Sequence, residues 1–247
     1  MKIKSLLFSF FLFSFIHSSA QSFSWIKKNN TGQAGNLRHT IISNDNQYIA
    51  CGFINQSGYI IKTDTSGIKI WDKTYPFLKE VYQINQLSDN GFIIFAVDST
   101  AKYSLIRTNT DGDTLWRKFI HCNYVFNNSY FVVSEDNHLV ISYTNNDTIH
   151  LNQFDLTGQF LWEKRFSGVQ RATSSCISIT ADGGYLIGGS TYIDTLTFNK
   201  DMYIIKTNKN GDTLWTRVVN IEGAEQMAGI VETPEKEFMA AFQSGAS

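Results

Sequence analysis

Two segments of the sequence are rich in residues with side-chain oxygen atoms, as calcium-binding loops are. They are NTDGDT at 109–114 and NKNGDT at 208–213. A calcium loop supplies about six oxygen ligands, including a bidentate acid further along the chain. Here the apolar pairs Leu115-Trp116 and Leu214-Trp215 follow instead. We therefore interpret both stretches as turns and predict no metal residue.

The other residues that could do chemistry form no catalytic pattern. No G-x-S-x-G elbow is present to carry a nucleophilic serine. No acid stands apart from the rest of the text as one of the two carboxylates that glycoside hydrolysis requires. The sequence predicts no catalytic residue, no cofactor-binding residue and no cofactor. The histidines do not fall at metal-ligand spacing; they include His39, His121, His138 and His150.

A tryptophan recurs at a nearly constant period, and the elements follow from this repeat. Trp25, Trp71, Trp116, Trp162 and Trp215 are separated by 46, 45, 46 and 53 residues. A glycine stands four residues before each of the last four, at Gly67, Gly112, Gly158 and Gly211. A fixed period in this range is the signature of a propeller or solenoid array. A tryptophan buries roughly 150–250 Å², so its recurrence is explained by blade-to-blade packing.

Each period contains text for about four short strands. An Asx residue opens each hairpin loop and the glycine closes it, as tight turns need where one residue has φ > 0. Helical repeats would need a 3.6-residue period, which the sequence lacks. The sequence therefore predicts an all-β fold of β-propeller-type repeats, with about four and a half four-stranded antiparallel blades. We expect an open or incomplete ring, and an imperfect five-bladed ring is the alternative.

The domain organisation follows from the same text. Residues 1–20 form a signal peptide, with two lysines, a Leu/Phe-rich run and a small-residue cleavage site. Residues 21–247 form one propeller-like repeat domain. We expect its outer strand at 21–28, blades at 36–75, 79–120, 125–166 and 172–219, and a partial blade at 224–247.

Composition bounds the partners and the location. Removal of Lys2 and Lys4 with the leader leaves 19 basic and 22 acidic residues, a net charge of −3. Nucleic-acid binding would need a basic face, which is absent from this pattern. No segment after the leader is apolar enough to span a membrane. We expect a secreted protein, extracellular or periplasmic.

Three cysteines remain ambiguous in the sequence. Cys51 and Cys176 lie in apolar strand text, which favours small buried hydrophobes, and Cys122 lies between them. A Cys51–Cys176 disulfide is the alternative, because secreted proteins tolerate disulfides.

Basic residues also follow the repeat. One comes two residues after each tryptophan, and others precede three of the turns. We expect their apolar stems to lie along the blades and their charged heads to reach water or a neighbouring carboxylate. They are Lys27, Lys73, Lys118, Lys164 and Arg217, and Lys62, Arg107 and Lys206.

The hairpin text, FDLTGQFLW at 154–162 and IKTNKNGDTLW at 205–215, resembles the tryptophan-docking repeat of the PQQ-repeat, or quinoprotein-dehydrogenase-like, propellers. With TADGGYLIGGST at 180–191, it is also similar to secreted bacterial propeller-repeat proteins, many of which carry a type IX secretion sorting domain. The resemblance implies the fold. No position matches a cofactor or calcium ligand of the quinoprotein enzymes.

We look for functional residues in the loops of this scaffold, because binding residues are concentrated in loops. We expect a non-enzymatic scaffold that binds a protein or glycan partner through blade loops. The insertion at 192–200, with Tyr192, Asp194 and Phe198, is the expected ligand-binding loop. The alternatives are a quinoprotein-like or polysaccharide-acting enzyme, and a fragment of a longer propeller without independent function.

Overall fold

A computed structural model describes residues 34–120, 130–167, 170–192, 200–220 and 225–244. These residues lie within one compact unit, Thr31–Ser247. The leader, Trp25 and Cys122 lie outside the described residues. No helix within the described ranges is long and apolar enough to cross a membrane.

The described residues form eighteen antiparallel strands. Their bounds are β1 Gly35–Ile42, β2 Tyr48–Ile54, β3 Ser57–Thr63, β4 Lys69–Tyr75, β5 Glu80–Gln86, β6 Phe92–Val97, β7 Tyr103–Thr108, β8 Thr114–Ile120, β9 Tyr130–Val133, β10 Leu139–Asn145, β11 Thr148–Phe154, β12 Phe160–Phe166, β13 Gln170–Ile179, β14 Tyr185–Tyr192, β15 Lys200–Thr207, β16 Thr213–Val219, β17 Glu225–Glu232 and β18 Phe238–Ser244.

These strands pair in chain order into five sheets. Four sheets have four strands each, β1–β4, β5–β8, β9–β12 and β13–β16, and the fifth contains β17 and β18. We number them as blades one to five. The first strands of successive blades adjoin one another, so they form the inner side of the array. The expectation of an all-β, incomplete propeller of about four and a half blades is confirmed.

The hydrophobic core lies between the blades rather than within one layer. The first cluster joins Cys51 and Ile60 of blade one to Ile84 and Phe92 of blade two. Equivalent clusters join blades two and three, three and four, and four and five. Each blade is therefore stabilised mainly by its neighbours, as expected for a repeat architecture.

The cysteines belong to different interfaces of this core. Cys51 packs between blades one and two, and Cys176 packs between blades four and five. Both are buried and free. The alternative of a Cys51–Cys176 disulfide is wrong, because the two thiols serve as apolar packing groups in separate clusters. Burial raises the pKa of the Cys176 thiol to about 12, which keeps it protonated and unreactive.

The hairpin turns explain the oxygen-rich stretches. Asn109 Oδ1 accepts hydrogen bonds from the backbone N–H groups of Asp111 and Asp113, at 3.0 and 2.8 Å. Asn208 Oδ1 makes the equivalent pair of bonds at 2.9 Å. These oxygens are used to close turns. Within the described ranges, no group of three His, Cys, Asp or Glu residues is placed to hold a metal.

The turn glycines serve the backbone and the packing together. Gly67, Gly112, Gly158 and Gly211 have φ values of 73°, 79°, 77° and 77°. The tryptophan of the preceding blade lies against two of them. A Cβ added to Gly158 would lie 3.0 Å from Trp116 Cζ3, and one added to Gly211 would lie 2.8 Å from Trp162 Cη2. Any larger residue there would be strained and would also displace the indole.

The tryptophans contact the next blade throughout the described interfaces. Trp116 Nε1 donates a hydrogen bond to the Leu156 carbonyl of blade three at 3.0 Å. Trp71 lies 6.1 Å from Phe92 of blade two, and Trp215 lies 5.4 Å from Phe238 of blade five, between ring centroids. Blade-to-blade packing thus accounts for Trp71, Trp116, Trp162 and Trp215.

Basic residues join the turns by ion pairs. Lys164 Nζ lies 2.7 Å from Asp212 Oδ1 in the turn of the next blade, and Lys73 pairs with Asp113 in the same way. Lys62 pairs with Asp45 within blade one at 2.8 Å. The expectation that such heads reach a carboxylate is confirmed at these positions.

Lys206 and Arg107 are the most buried of these cations in the described part of the chain. The ammonium of Lys206 donates to Thr180 Oγ1, to both carboxylate oxygens of Asp182 and to the Thr207 carbonyl, each at 2.9 Å. The hydrogen bonds from Lys206 and then Thr180 hold the pKa of Asp182 well below its usual range. The ionised Asp182 therefore stabilises the folded protein at every pH at which this carboxyl is ionised in both the folded and the unfolded state.

We expect Gly158→Ala to lower the free energy of unfolding more than Gly183→Ala does. Gly183 has a φ of 74°, but an added Cβ there would find its nearest atom, Lys209 Cβ, 4.0 Å away. Gly183→Ala should cost about 1 kcal/mol from the left-handed backbone alone. Gly158→Ala should cost about 1–3 kcal/mol more, because it also overpacks the Trp116 contact. Urea unfolding followed by fluorescence measures both, and equal losses would contradict the double role of Gly158.

We expect Asp182→Asn to reduce stability at neutral pH but not at low pH. A carboxylate with a lowered folded pKa contributes stability above its unfolded value, about 3.9, and loses it as the pH falls through the folded value. The gap between wild type and Asp182→Asn should therefore narrow as the pH falls below about 4. Urea midpoints measured from pH 6 to pH 2 check this. A gap that stays constant would show that the charge of Asp182 contributes nothing.

Candidate functional site

The expected ligand-binding loop begins at the end of strand β14. Tyr192 is the last residue of β14, and it pairs with Gln170 of β13 on one side and Lys200 of β15 on the other. The structure therefore places Tyr192 in the sheet, at the base of the loop. Asp194 and Phe198 lie outside the described residues, and their role stays a prediction.

Two cations flank the ring of Tyr192. The guanidinium carbon of Arg171 lies 5.9 Å from the ring centroid, and Lys200 Nζ lies 5.8 Å from it. Both distances fall within the range of cation–π attraction. We call Arg171, Tyr192 and Lys200 the Tyr192 cluster. The sequence identified Tyr192 but gave no signal for the cations, because three different strands bring these residues together.

The backbone of Arg171 is strained. Its φ is 48°, in the left-handed region that a long side chain rarely adopts. The strain arises in a β-bulge, since the pairing of β13 with β14 shifts between Gln170 and Thr173. The N–H of Ala172 donates to the Asp147 carbonyl of blade three at 3.0 Å and anchors the bulge. Bulges often re-aim a side chain, and strain of this kind concentrates at functional sites.

A second polar group lies on the inner side, between blades one and two. Arg38 Nε donates to Glu80 Oε1 at 2.5 Å. The Glu80 side chain is 9% exposed, whereas the Arg38 side chain is 46% exposed. Burial and then the charge of Glu80 raise the pKa of the nearby Tyr82 to about 12. We call Arg38, Glu80 and Tyr82 the Arg38 cluster. No sequence motif marks it, because Arg38 and Glu80 lie on separate strands.

An open cleft of about 440 Å³ lies beside the polar turns of blades one and two. Its polar side chains already bond to one another. Lys62 pairs with Asp45, Asn44 Nδ2 donates to Asn90 Oδ1 at 3.0 Å, and Gln86 Oε1 accepts the Asn44 N–H at 2.7 Å. These contacts tie neighbouring turns together, so we assign the cleft a structural role.

The histidines take separate structural positions. His150 Nδ1 lies 2.8 Å from Glu163 Oε1, and its ring stacks on Tyr143 at 5.1 Å between centroids. His39 Nδ1 is buried and has no hydrogen-bond partner within the described residues, and burial lowers its pKa. His39 lies across the β1–β2 ladder from Cys51, but its Nδ1 makes no hydrogen bond to the thiol, and the Nδ1 of His150 is taken by Glu163. His121 lies outside the described residues.

Comparisons with known proteins support the fold. No protein-family model matches the chain, and no curated protein matches its sequence. Among solved structures, a hypothetical protein from Leishmania major is 10% identical, with a TM-score of 0.50, over 88% of this chain and 84% of that chain. A luciferin-regenerating enzyme is 9% identical, with a TM-score of 0.50, over 81% of this chain and 67% of that chain. Likeness at this level of identity shows the propeller fold alone.

We expect Arg171→Gly to be more stable than Arg171→Ala. Both substitutions remove the guanidinium from the Tyr192 ring, but only alanine keeps a Cβ at a φ of 48°. The left-handed conformation costs about 1–2 kcal/mol for residues with a Cβ, so the two variants should differ by about 1 kcal/mol. Urea unfolding measures this difference. Equal midpoints would show that the bulge relaxes without strain.

Proposed function

We propose that this protein is a secreted, non-enzymatic propeller scaffold that binds a glycan carrying acidic groups at the Tyr192 cluster. The observation that supports this proposal is the position of two cations against the ring of Tyr192. One is Lys200, and the other is Arg171, whose backbone is strained. The two cations attract carboxylate or sulfate groups, and the tyrosine offers an apolar surface with a polar tip. Such a combination suits an acidic saccharide.

Of the two partner classes expected from the sequence, the glycan fits this cluster better. A specific protein partner needs about 800 Å² of surface on each side, with a central group of buried anchors. The Tyr192 cluster is a single aromatic ring with two charges, which matches the dimensions of one or two sugar units. A protein partner therefore becomes an outcome of the experiment rather than the proposal.

Secretion and family membership are parts of the same proposal. Secretion rests on the leader text at 1–20, with its basic start, apolar run and small-residue end. Placement among the secreted propeller-repeat proteins, and near the PQQ-repeat propellers, rests on the hairpin text. Its support is the packing of Trp116 on Gly158 and of Trp162 on Gly211.

We expect the purified protein to bind acidic polysaccharides and the Tyr192→Ala variant to lose that binding. The probes are polygalacturonate and chondroitin sulfate, with dextran and laminarin as neutral counterparts, immobilised for biolayer interferometry. Loss of the ring that orders both cations should weaken binding about 5- to 30-fold, or about 1–2 kcal/mol. Tyr192→Phe should bind nearly as well as wild type, because it keeps the ring.

Phe77→Ala is the matched control. Phe77 is an exposed ring that also has a guanidinium over it, since Arg117 lies 5.4 Å from its centroid, but it lies outside the Tyr192 cluster. Phe77→Ala should leave binding unchanged. Equal binding by Tyr192→Ala and wild type would overturn the assignment of the site. Binding of neutral and acidic polysaccharides with equal affinity would overturn the role of the cations.

A further inference from the structure

The first strands of blades one, two, four and five have a bulge at the same position. In blade one the pairing of β1 with β2 skips Arg38, and in blade two the pairing of β5 with β6 skips Tyr82. Ser175 is skipped in blade four and Ala228 in blade five. The equivalent position of blade three lies outside the described residues. The repeat thus places one unpaired residue per described bulge on the inner strands.

These bulged positions are where the repeat allows side chains to differ. The first strands of successive blades adjoin, so their bulges lie along the inner side of the array. A bulged residue is released from the ladder and its side chain is re-aimed. Blades four and five carry the small residues Ser175 and Ala228 there, whereas blades one and two carry Arg38 and Tyr82. Among the described bulges at this position, the charged and aromatic side chains are therefore those of blades one and two.

Glu80 holds Arg38 in place by a single bond. A buried carboxylate requires a partner, and Glu80 at 9% exposure finds one in Arg38 Nε. Glu80 is the one side-chain partner of Arg38 among the described residues. Among the described residues, the two terminal nitrogens of the half-exposed guanidinium have no hydrogen-bond partner. They form the planar fork that binds a carboxylate through two hydrogen bonds.

Arg107 shows what a purely structural arginine looks like in this protein. Its side chain is 5% exposed. Its terminal nitrogens bond to the Phe92 carbonyl at 3.0 Å, to the Thr108 carbonyl and to the carboxylate of Asp89. Arg107 is buried, and both of its terminal nitrogens have partners within the fold. Arg38 is exposed and is held at one nitrogen, as expected for a group that is positioned for a ligand.

We infer that the Arg38 cluster is a binding site for a carboxylate on a small ligand, either a sugar acid or another organic acid. Arg38 binds the carboxylate through its terminal nitrogens, and Glu80 orients Arg38. This site is separate from the Tyr192 cluster and does not depend on the proposed glycan contact there.

The test is calorimetric titration of D-glucuronate into the full protein carrying Arg171→Gly and Lys200→Ala, so that neither cation of the Tyr192 cluster is present. Binding with a millimolar or lower dissociation constant is expected, with no heat from D-glucose. Malate distinguishes the ligand source. Binding of malate and glucuronate alike indicates a general carboxylate site, and binding of glucuronate alone indicates a sugar-acid site. Both outcomes support the inference.

Arg38→Lys, in the same background, separates binding from folding. Lysine keeps a positive charge for Glu80 but lacks the planar fork, so the urea midpoint should stay near that of the parent while glucuronate affinity falls about 10-fold or more. Arg38→Ser, which imitates blade four, should lose both stability and binding, because it leaves Glu80 buried and unpaired.

Three results would overturn the inference. They are no binding of glucuronate by the parent protein, equal binding of glucose and glucuronate, and unchanged affinity in Arg38→Lys. Failure of acidic polysaccharides to bind at Tyr192 would leave the glucuronate result intact, so the two proposals fail separately.

Discussion

The packing of a tryptophan on the turn glycine of the next blade is the contact on which this structure depends. The indole of Trp116 occupies the space that a side chain at residue 158 would need, and the same holds for Trp162 and residue 211. The glycine also supplies a left-handed turn that closes its own hairpin. One residue therefore satisfies a requirement of its own blade and a requirement of its neighbour. These two requirements together explain why Gly and Trp recur at a fixed spacing in the sequence.

A scaffold built from identical contacts leaves function to the positions that do not repeat. Partners within the fold explain, without a ligand, the recurrence of the described tryptophans, of Gly158 and Gly211, and of Lys73 and Lys164. By contrast, Arg38, Tyr82 and Arg171 lie at bulges, where the ladder is interrupted and the repeat places no demand on residue type. The side chains that differ from blade to blade thus lie at β-bulges of the inner strands, as expected when functional sites are grafted on a common fold.

The sequence predicted the fold well because its repeat period, its turn residues and its strand patterns all agree with one architecture. The Asx and glycine residues of the hairpins indicated the turn geometry directly. The sequence could not predict the bulges, because register depends on pairing across strands rather than on local text. It also gave no sign that Arg171 and Lys200 flank Tyr192, since residues 171, 192 and 200 meet only in the assembled sheet. The disulfide alternative was wrong because both cysteines pack in different interfaces.

The two-stranded fifth sheet packs against a single described neighbour, blade four. Met227 and Ile230 of this sheet are buried against blade four, while Met239 and Phe242 are 64% and 43% exposed. In a repeat array, each unit is stabilised by its nearest neighbours, and this sheet has two strands and one described neighbour. Its opening therefore disrupts a single described interface, whereas opening of blade three disrupts two. Among the described residues, local opening should cost least free energy in this sheet and most in the central blades.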